Sequence, residues 1–185
     1  MNVSDELDRR FRDRAAAEGL LDAAYDVTDS PLGPLVVAAT GAGVCLISYG
    51  EREAAVESLA RTHGARVLRA PRPVARAIRE LDEYFGGHRR EFDLQLDLTS
   101  LPEFQRLVLT ELARVPYGAT ASYGELAGRV GKPRAARAVG GALNRNPIPI
   151  VLPCHRILGA GGRLVGYAGG LERKQVLLTL EGARL

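Results

Sequence analysis

Cys154 stands directly beside His155 in the stretch Pro153-Cys-His-Arg156. A thiol reacts as its thiolate, and a neighbouring imidazole or cation can draw its pKa from ~8.5 towards ~4–7. The approach to the pair, Asn146-Pro-Ile-Pro-Ile-Val-Leu-Pro153, is apolar and carries three prolines. Each proline fixes φ and removes a backbone donor, so this segment is stiff. Beyond the pair, Gly159-Ala-Gly-Gly162 and Gly166-Tyr-Ala-Gly-Gly170 supply backbone that can approach a flat ligand closely. A thiol on a stiff segment, walled by permissive backbone, reads as a nucleophile. Without that setting, Cys154 would equally be a buried structural thiol.

Two groups of elements must hold this site. Glu103–Val115 has Phe104, Leu107, Val108 and Leu112 at helical spacing, which predicts a helix with those residues inward. Ser122-Tyr-Gly-Glu125 is a capping-box pattern at a helix start. Gly131-Lys-Pro133 then supplies a stop, a turn and an N1 proline for a helix from Arg134 to about Leu143. Two short helices about a glycine-containing turn suggest a helix-turn-helix. The second carries Ala135, Ala136, Ala138, Gly140, Arg134 and Arg137, a small, basic face suited equally to DNA contact and to tight packing.

The other half reads differently. Charged residues from Ser4 suggest a short helix to about Ala17, capped by Ser4. Ala23–Thr28, Leu35–Ala39 and Val44–Tyr49, divided by Ser30-Pro-Leu-Gly33 and Gly41-Ala-Gly43, read as an antiparallel meander. Glu51–His63 and Pro73–Phe85 read as helices, and Ala65–Arg69 as a strand. Arg90–Leu98 alternates Phe92, Leu94, Leu96 and Leu98 as a half-buried strand would. The character changes at Thr99-Ser-Leu-Pro102. The expected fold class is α+β: an N-terminal extension over 1–20, a small antiparallel-sheet domain over 21–100, and a mainly helical, winged-helix-like domain over 101–185.

Composition narrows the function. The 185 residues are 46% hydrophobic and 25% charged, ordinary for a globular protein. The charged start is no signal peptide, and no run approaches the ~18 apolar residues of a membrane span. Two cysteines, Cys45 and Cys154, exclude a disulfide framework and a four-thiolate metal site; cytoplasmic residence with free thiols is expected. Residues 1–100 carry 13 basic against 17 acidic side chains, and residues 101–185 carry 12 against 5. The net +3 is therefore −4 in one half and +7 in the half that holds Cys154. A positive field there favours a polyanion, nucleic acid above all.

From Phe104 to Glu181 the chain resembles the O6-alkylguanine-DNA alkyltransferase family. The resemblance is carried, in order, by Val115-Pro-Tyr-Gly118, Ser122-Tyr-Gly-Glu-Leu-Ala127, Pro133-Arg-Ala-Ala-Arg-Ala-Val-Gly140, Asn146-Pro, Pro153-Cys-His-Arg156 and Gly166-Tyr-Ala-Gly-Gly-Leu171. The N-terminal half is similar only loosely, through Ser30-Pro-Leu-Gly-Pro34 and the expected sheet. Leu109 departs from the tryptophan usual in the family, and Ala168 from a polar residue in some members.

The resemblance implies DNA repair by direct reversal, with alkylated double-stranded DNA as partner and no cofactor. A damaged guanine would be flipped from the duplex, and its O6-alkyl group moved once and irreversibly to Cys154. His155 would deprotonate the thiol through a bridging water, with Glu181 orienting that histidine. Tyr123 would contact the flipped nucleotide and the leaving purine, and Arg137 would fill the gap in the stack. Ala135, Ala136, Ala138 and Gly140 would let the helix into a groove. Asn146 would bridge the helix-turn-helix to the active segment, and Pro149, Tyr167, Ala168 and Gly169 would wall the alkyl pocket. Some members bind zinc in the N-terminal domain; with only Cys45, His63 and His88 there, no metal is expected. The protein is expected to be a monomer in solution, with cooperative assembly on DNA an open alternative.

Two other readings remain open on the sequence. One is a turnover enzyme with a Cys-His-Glu triad, such as a thiol hydrolase or acyltransferase. The other is a non-catalytic lesion binder, against which the presence of Cys154 argues.

Overall fold

In the computed structural model, which describes residues 3–183, the chain divides into two compact units between Ser100 and Leu101. The first contains helix α1 (Val3–Ala17), strands β1 (Ala23–Thr28), β2 (Leu35–Thr40) and β3 (Gly43–Ser48), helix α2 (Arg52–His63), strand β4 (Val67–Arg69) and helix α3 (Pro71–Phe85). The sheet order is β3-β2-β1-β4. Its first three strands are the expected antiparallel meander. The fourth corrects the expectation of an antiparallel sheet, because β4 runs parallel to β1. After β3 the chain crosses over through α2, and a strand that re-enters the sheet by such a crossover runs in this sense.

Leu35–Ala39 of β2 are buried without alternation, so both faces of that strand are covered. Leu59 of α2 closes a cluster with Ala23, Ala38 and Cys45. Cys45 is accordingly inert: burial, then the Asp97 carboxylate, pushes its thiol up to about 12.

Three sequence expectations shift here. Helix α1 begins at Val3, so Ser4 lies inside it and not at its cap. Helix α3 begins at Pro71 and not at Pro73, because Ala70 is the last extended residue before it. The segment 90–98 alternates in exposure only from Glu91 to Leu96, breaks at the buried Asp97, and forms no strand beyond one bridge, Leu96 to Val44. Val44 N–H donates to Gln95 O (2.9 Å) and Asp97 N–H donates to Val44 O (2.8 Å). A Cβ at Gly43, which also has φ 138°, would lie 2.4 Å from Gln95 O, so this approach requires glycine.

The second unit contains α4 (Glu103–Leu112), β5 (Ala121–Ser122), α5 (Tyr123–Arg129), α6 (Ala136–Asn144), β6 (Ile157–Leu158) and α7 (Leu171–Leu180). Helices α4, α5 and α6 pack on one another, with Val108, Leu109, Leu112, Leu126, Val139 and Ala142 buried. Leu107, expected inward, is 41% exposed, while Gln105 is buried. Gln105 is drawn in because its Nε2 donates to Arg145 O (2.7 Å) at the end of α6, which satisfies a carbonyl left unpaired by the helix terminus.

The capping box at Ser122 forms as the sequence predicts. Glu125 N–H donates to Ser122 Oγ (3.1 Å) and Ser122 N–H to Glu125 Oε2 (2.6 Å). Helix α6 starts later than expected, at Ala136. Pro133 lies in the preceding turn, closed by Ala135 N–H donating to Lys132 O (2.8 Å).

Candidate active site

Short parallel pairing of β5 with β6 sets the geometry of this site. Ala121 pairs with Ile157 and Ser122 with Leu158. Tyr123 follows β5 directly and the 3-10 turn Cys154–Arg156 precedes β6 directly, so residues some thirty apart in sequence are placed side by side. A cavity of about 430 Å³ opens there, with Tyr123, Arg137, Gly140, Cys154, Tyr167 and Ala168 among its lining. That size suits a small ligand.

Cys154 is buried to 8% exposure, and its Sγ accepts a hydrogen bond from Asn146 Nδ2 (3.2 Å). The same Nδ2 donates to Leu152 O (2.8 Å), while Asn146 Oδ1 accepts from Ile148 N–H (3.1 Å). One carboxamide therefore grips the whole proline-rich approach. The expectation of a thiol drawn below its ordinary pKa is corrected. Burial pushes the Cys154 thiol upward, against the opposing hydrogen bond from Asn146 and the nearby positive charge of Lys174. Desolvation of a thiolate costs more than these groups return, so the resting group is a thiol that needs a base.

His155, the next residue in the chain, is the candidate base. It is fully buried, with Nε2 2.9 Å from Glu181 Oε1. Burial lowers the imidazole pKa although Glu181 favours the charged form, which leaves a neutral ring near pH 7. A neutral ring that donates Nε2–H to the carboxylate presents its lone pair at Nδ1. Among the described residues, Nδ1 has no hydrogen-bond partner.

Glu181, one residue past the end of α7, is the hub. Oε1 accepts from His155 Nε2 and Arg156 Nη2 (2.8 Å), and Oε2 from Arg156 Nε (2.8 Å) and Gly118 N–H (3.3 Å). Burial alone would raise its pKa; the hydrogen bonds from His155 and Arg156 prevail and hold it at about 2. Arg156 also donates to Val115 O (2.6 Å), so it is the strut of the site. Gly118 turns with φ 72°, and a Cβ there would lie 2.9 Å from Glu181 O.

Lys174 was not legible as a site residue. It is 0% exposed, and its Nζ donates to Ile157 O (2.5 Å) and Val165 O (3.0 Å). Burial pulls its pKa down to about 8, with the neighbouring Cys154 opposing. The available signal was the spacing of Lys174, Leu177, Leu178 and Glu181, which places all four on one helix face. All four are buried.

The remaining expected residues divide. Tyr123 is half-buried, and its hydroxyl donates to Gly166 O (3.2 Å). Burial, then Cys154, raises its pKa. Arg137 and Ala138 are exposed on α6, while Ala135 and Ala136 are half-buried. Gly140 faces the Tyr123 ring, where a Cβ would sit 3.6 Å from Cε1; it belongs to the pocket wall and not to the outer face. Tyr167 and Ala168 line the cavity, but Pro149 and Gly169 do not. Pro149 is buried, and Gly169 O accepts a hydrogen bond from Arg173 Nη1 (2.8 Å). Among the described residues, no cluster of three or more His, Cys, Asp or Glu side chains is placed to hold a metal.

Comparison with known proteins covers both units. Residues 103–183 match the family model for the DNA-binding domain of 6-O-methylguanine DNA methyltransferase. Residues 23–98 match the model for its ribonuclease-like domain. The methylated-DNA–protein-cysteine methyltransferase of Mycobacterium tuberculosis is 46% identical over 160 residues, which is 86% of this chain and 93% of that protein. The crystal structure of Mycobacterium tuberculosis OGT in complex with DNA superposes with a TM-score of 0.76 at 43% identity, covering 86% of this chain and 92% of the other. The O6-methylguanine-DNA methyltransferase of Pyrococcus kodakaraensis superposes with a TM-score of 0.62 at 26% identity, covering 87% and 99%.

Proposed function

This chain belongs to the 6-O-methylguanine DNA methyltransferase family, and on that footing we propose a residue-by-residue account of how it repairs alkylated DNA. It is a DNA-binding methyltransferase that moves a methyl group from DNA to a cysteine of its own. Cys154 is the acceptor. The observation that carries this assignment is its Sγ at a cavity beside Tyr123 and Arg137, backed by the buried His155–Glu181 pair.

The transfer is a single displacement. A bond forms between Cys154 Sγ and the methyl carbon while the bond from that carbon to guanine O6 breaks. The thiol proton passes through a bridging water to His155 Nδ1, the nitrogen that Glu181 leaves available. Guanine leaves as its neutral form because the Tyr123 hydroxyl gives its proton to the purine. The protonated His155 returns one to Tyr123 through water, so the proton taken from the thiol is the one the guanine finally carries. That hydroxyl first releases Gly166 O. Lys174 offsets the negative charge that develops at sulfur, and preorganised charge of this kind acts strongly in a site with little water. The product thioether has no route back to a thiol, so each molecule reacts once.

Reaching the cavity requires the base to leave the duplex. Arg137, exposed on α6 at the rim, enters the stack in its place, while Ala135, Ala136 and Ala138 let the helix approach. The +7 balance of residues 101–185 draws the phosphate backbone. Among the described residues no helix is long and apolar enough to cross a membrane. The two free thiols suit a reducing cytoplasm, where the protein acts as a monomer.

Intact-protein and peptide mass after mixing with one equivalent of O6-methylguanine duplex tests the assignment. One methyl gain on the Cys154 peptide is expected, with no turnover in excess substrate, and Cys154→Ala should bind DNA but gain nothing. Many products per protein, or a methyl gain in Cys154→Ala, would sink it.

A further inference from the structure

Ile150 is where the backbone departs furthest from what its side chain favours. Among the described residues it is the one non-glycine residue with a positive φ, 75°. A β-branched side chain tolerates that region least, because its Cβ substituents crowd the adjoining peptide groups. Yet the same side chain is 0% exposed. Strain of this kind persists where the surroundings over-determine it, and it concentrates at functional sites.

What over-determines it here is visible. Ile150 lies four residues before Cys154, between Pro149 and Val151. Across it, Leu152 N–H donates to Ile148 O (2.9 Å), and Cys154 N–H donates to Leu152 O (2.8 Å). Asn146 closes both limbs of this turn: its Oδ1 takes Ile148 N–H (3.1 Å), and its Nδ2 serves Leu152 O (2.8 Å) and Cys154 Sγ (3.2 Å). An ordinary negative φ at residue 150 would redirect the chain. The Leu152 carbonyl and the Cys154 sulfur would then not reach one amide group. Glycine would take the conformation freely, but nothing would hold it there. Isoleucine, once buried, locks it.

We propose that Ile150 is a positioning residue for methyl transfer: its left-handed turn, clamped by its own buried side chain, presents the Cys154 sulfur to the Asn146 amide and fixes it at the cavity. This rests on the reading of Cys154 as acceptor. Ile150 acts through Asn146 and touches no reacting atom.

The test compares wild type, Ile150→Val, Ile150→Ala and Ile150→Gly, each also in an Asn146→Ala background. Two quantities are measured per folded molecule: the rate of methyl transfer from duplex, and the pH profile of Cys154 carbamidomethylation by iodoacetamide. Alanine and glycine should each slow transfer by about 10-fold or more, the scale of a reacting atom misplaced by a fraction of an ångström. Their carbamidomethylation inflection should move to higher pH, and valine should restore both. In the Asn146→Ala background the same changes should alter the rate by less than about 2-fold. Should alanine fail to fold, glycine decides, since it reaches a positive φ without a Cβ clash. Variants that unfold more easily but keep wild-type rate and inflection overturn the proposal, as do full losses in the Asn146→Ala background. A wild type that takes no methyl on Cys154 defeats the acceptor reading instead, while the iodoacetamide profiles still decide the role of Ile150.

Discussion

Glu181→Gln removes one charge and almost no volume, and the structure sets what that should cost. The carboxylate accepts from His155 and Arg156 on one oxygen, and from Arg156 and Gly118 on the other. A glutamine must put an NH2 group at one of those oxygens. In either orientation a donor then faces Arg156, whose guanidinium is buried and loses its counter-charge. Breaking a buried ion pair from one side costs about 3–5 kcal/mol. Linkage reaches a similar figure independently. Glu181 is held at about 2, from an ordinary 4.5, and at about 1.4 kcal/mol per pKa unit the folded state gains about 3 kcal/mol from its ionised form. Because the folded pKa is depressed, that stability is complete above about pH 5 and is lost as pH falls towards 2. Urea unfolding at neutral pH should therefore show Glu181→Gln less stable by about 3 kcal/mol or more. The gap between the two proteins should narrow below about pH 5. A neutral-pH loss under about 1 kcal/mol, in the range of exposed pairs, would refute the reasoning. So would a gap that stays constant on acidification.

Three further outcomes follow from the same geometry. Asn146→Ala removes a side-chain donor at Cys154 Sγ, so the carbamidomethylation profile of Cys154 should move to higher pH; an unchanged inflection contradicts that hydrogen bond's role. Lys174→Met should shift the same profile in the same direction, because the lysine lowers the cysteine pKa through space, and an unchanged inflection would show that its charge does not reach the sulfur. Arg137→Ala should slow transfer from O6-methylguanine in duplex about 10-fold or more beyond any effect on free O6-benzylguanine, since unstacking a base costs a few kcal/mol; equal losses on both substrates would remove Arg137 from base extrusion.

Acid sensitivity should also extend above the Glu181 window. His155 is buried neutral with its pKa lowered, so the unfolded chain takes up a proton that the folded one refuses. Stability should fall as pH drops below about 6.5.

Much of this protein was legible along the chain. The Ser122–Glu125 capping box, the meander of β1 to β3 and the short helices about Gly131 rest on interactions within a few residues of one another. Those are the interactions that local spacing encodes. The Pro153-Cys-His-Arg156 stretch marked the candidate nucleophile for the same reason, and charge counting placed the positive field in the half that carries it. Tertiary structure alone decided the rest. The β5–β6 pairing brings Tyr123 to Cys154, and Glu181 joins Arg156 and His155 across 25 and 26 residues. Burial of Lys174 followed from which face α7 turns inward, and the upward pKa of Cys154 from how completely its surroundings exclude water. Gln105 went in and Leu107 out because a carbonyl at the end of α6 needed a donor. Composition and spacing name the groups that can react; desolvation and pairing between distant segments determine the state in which each one waits.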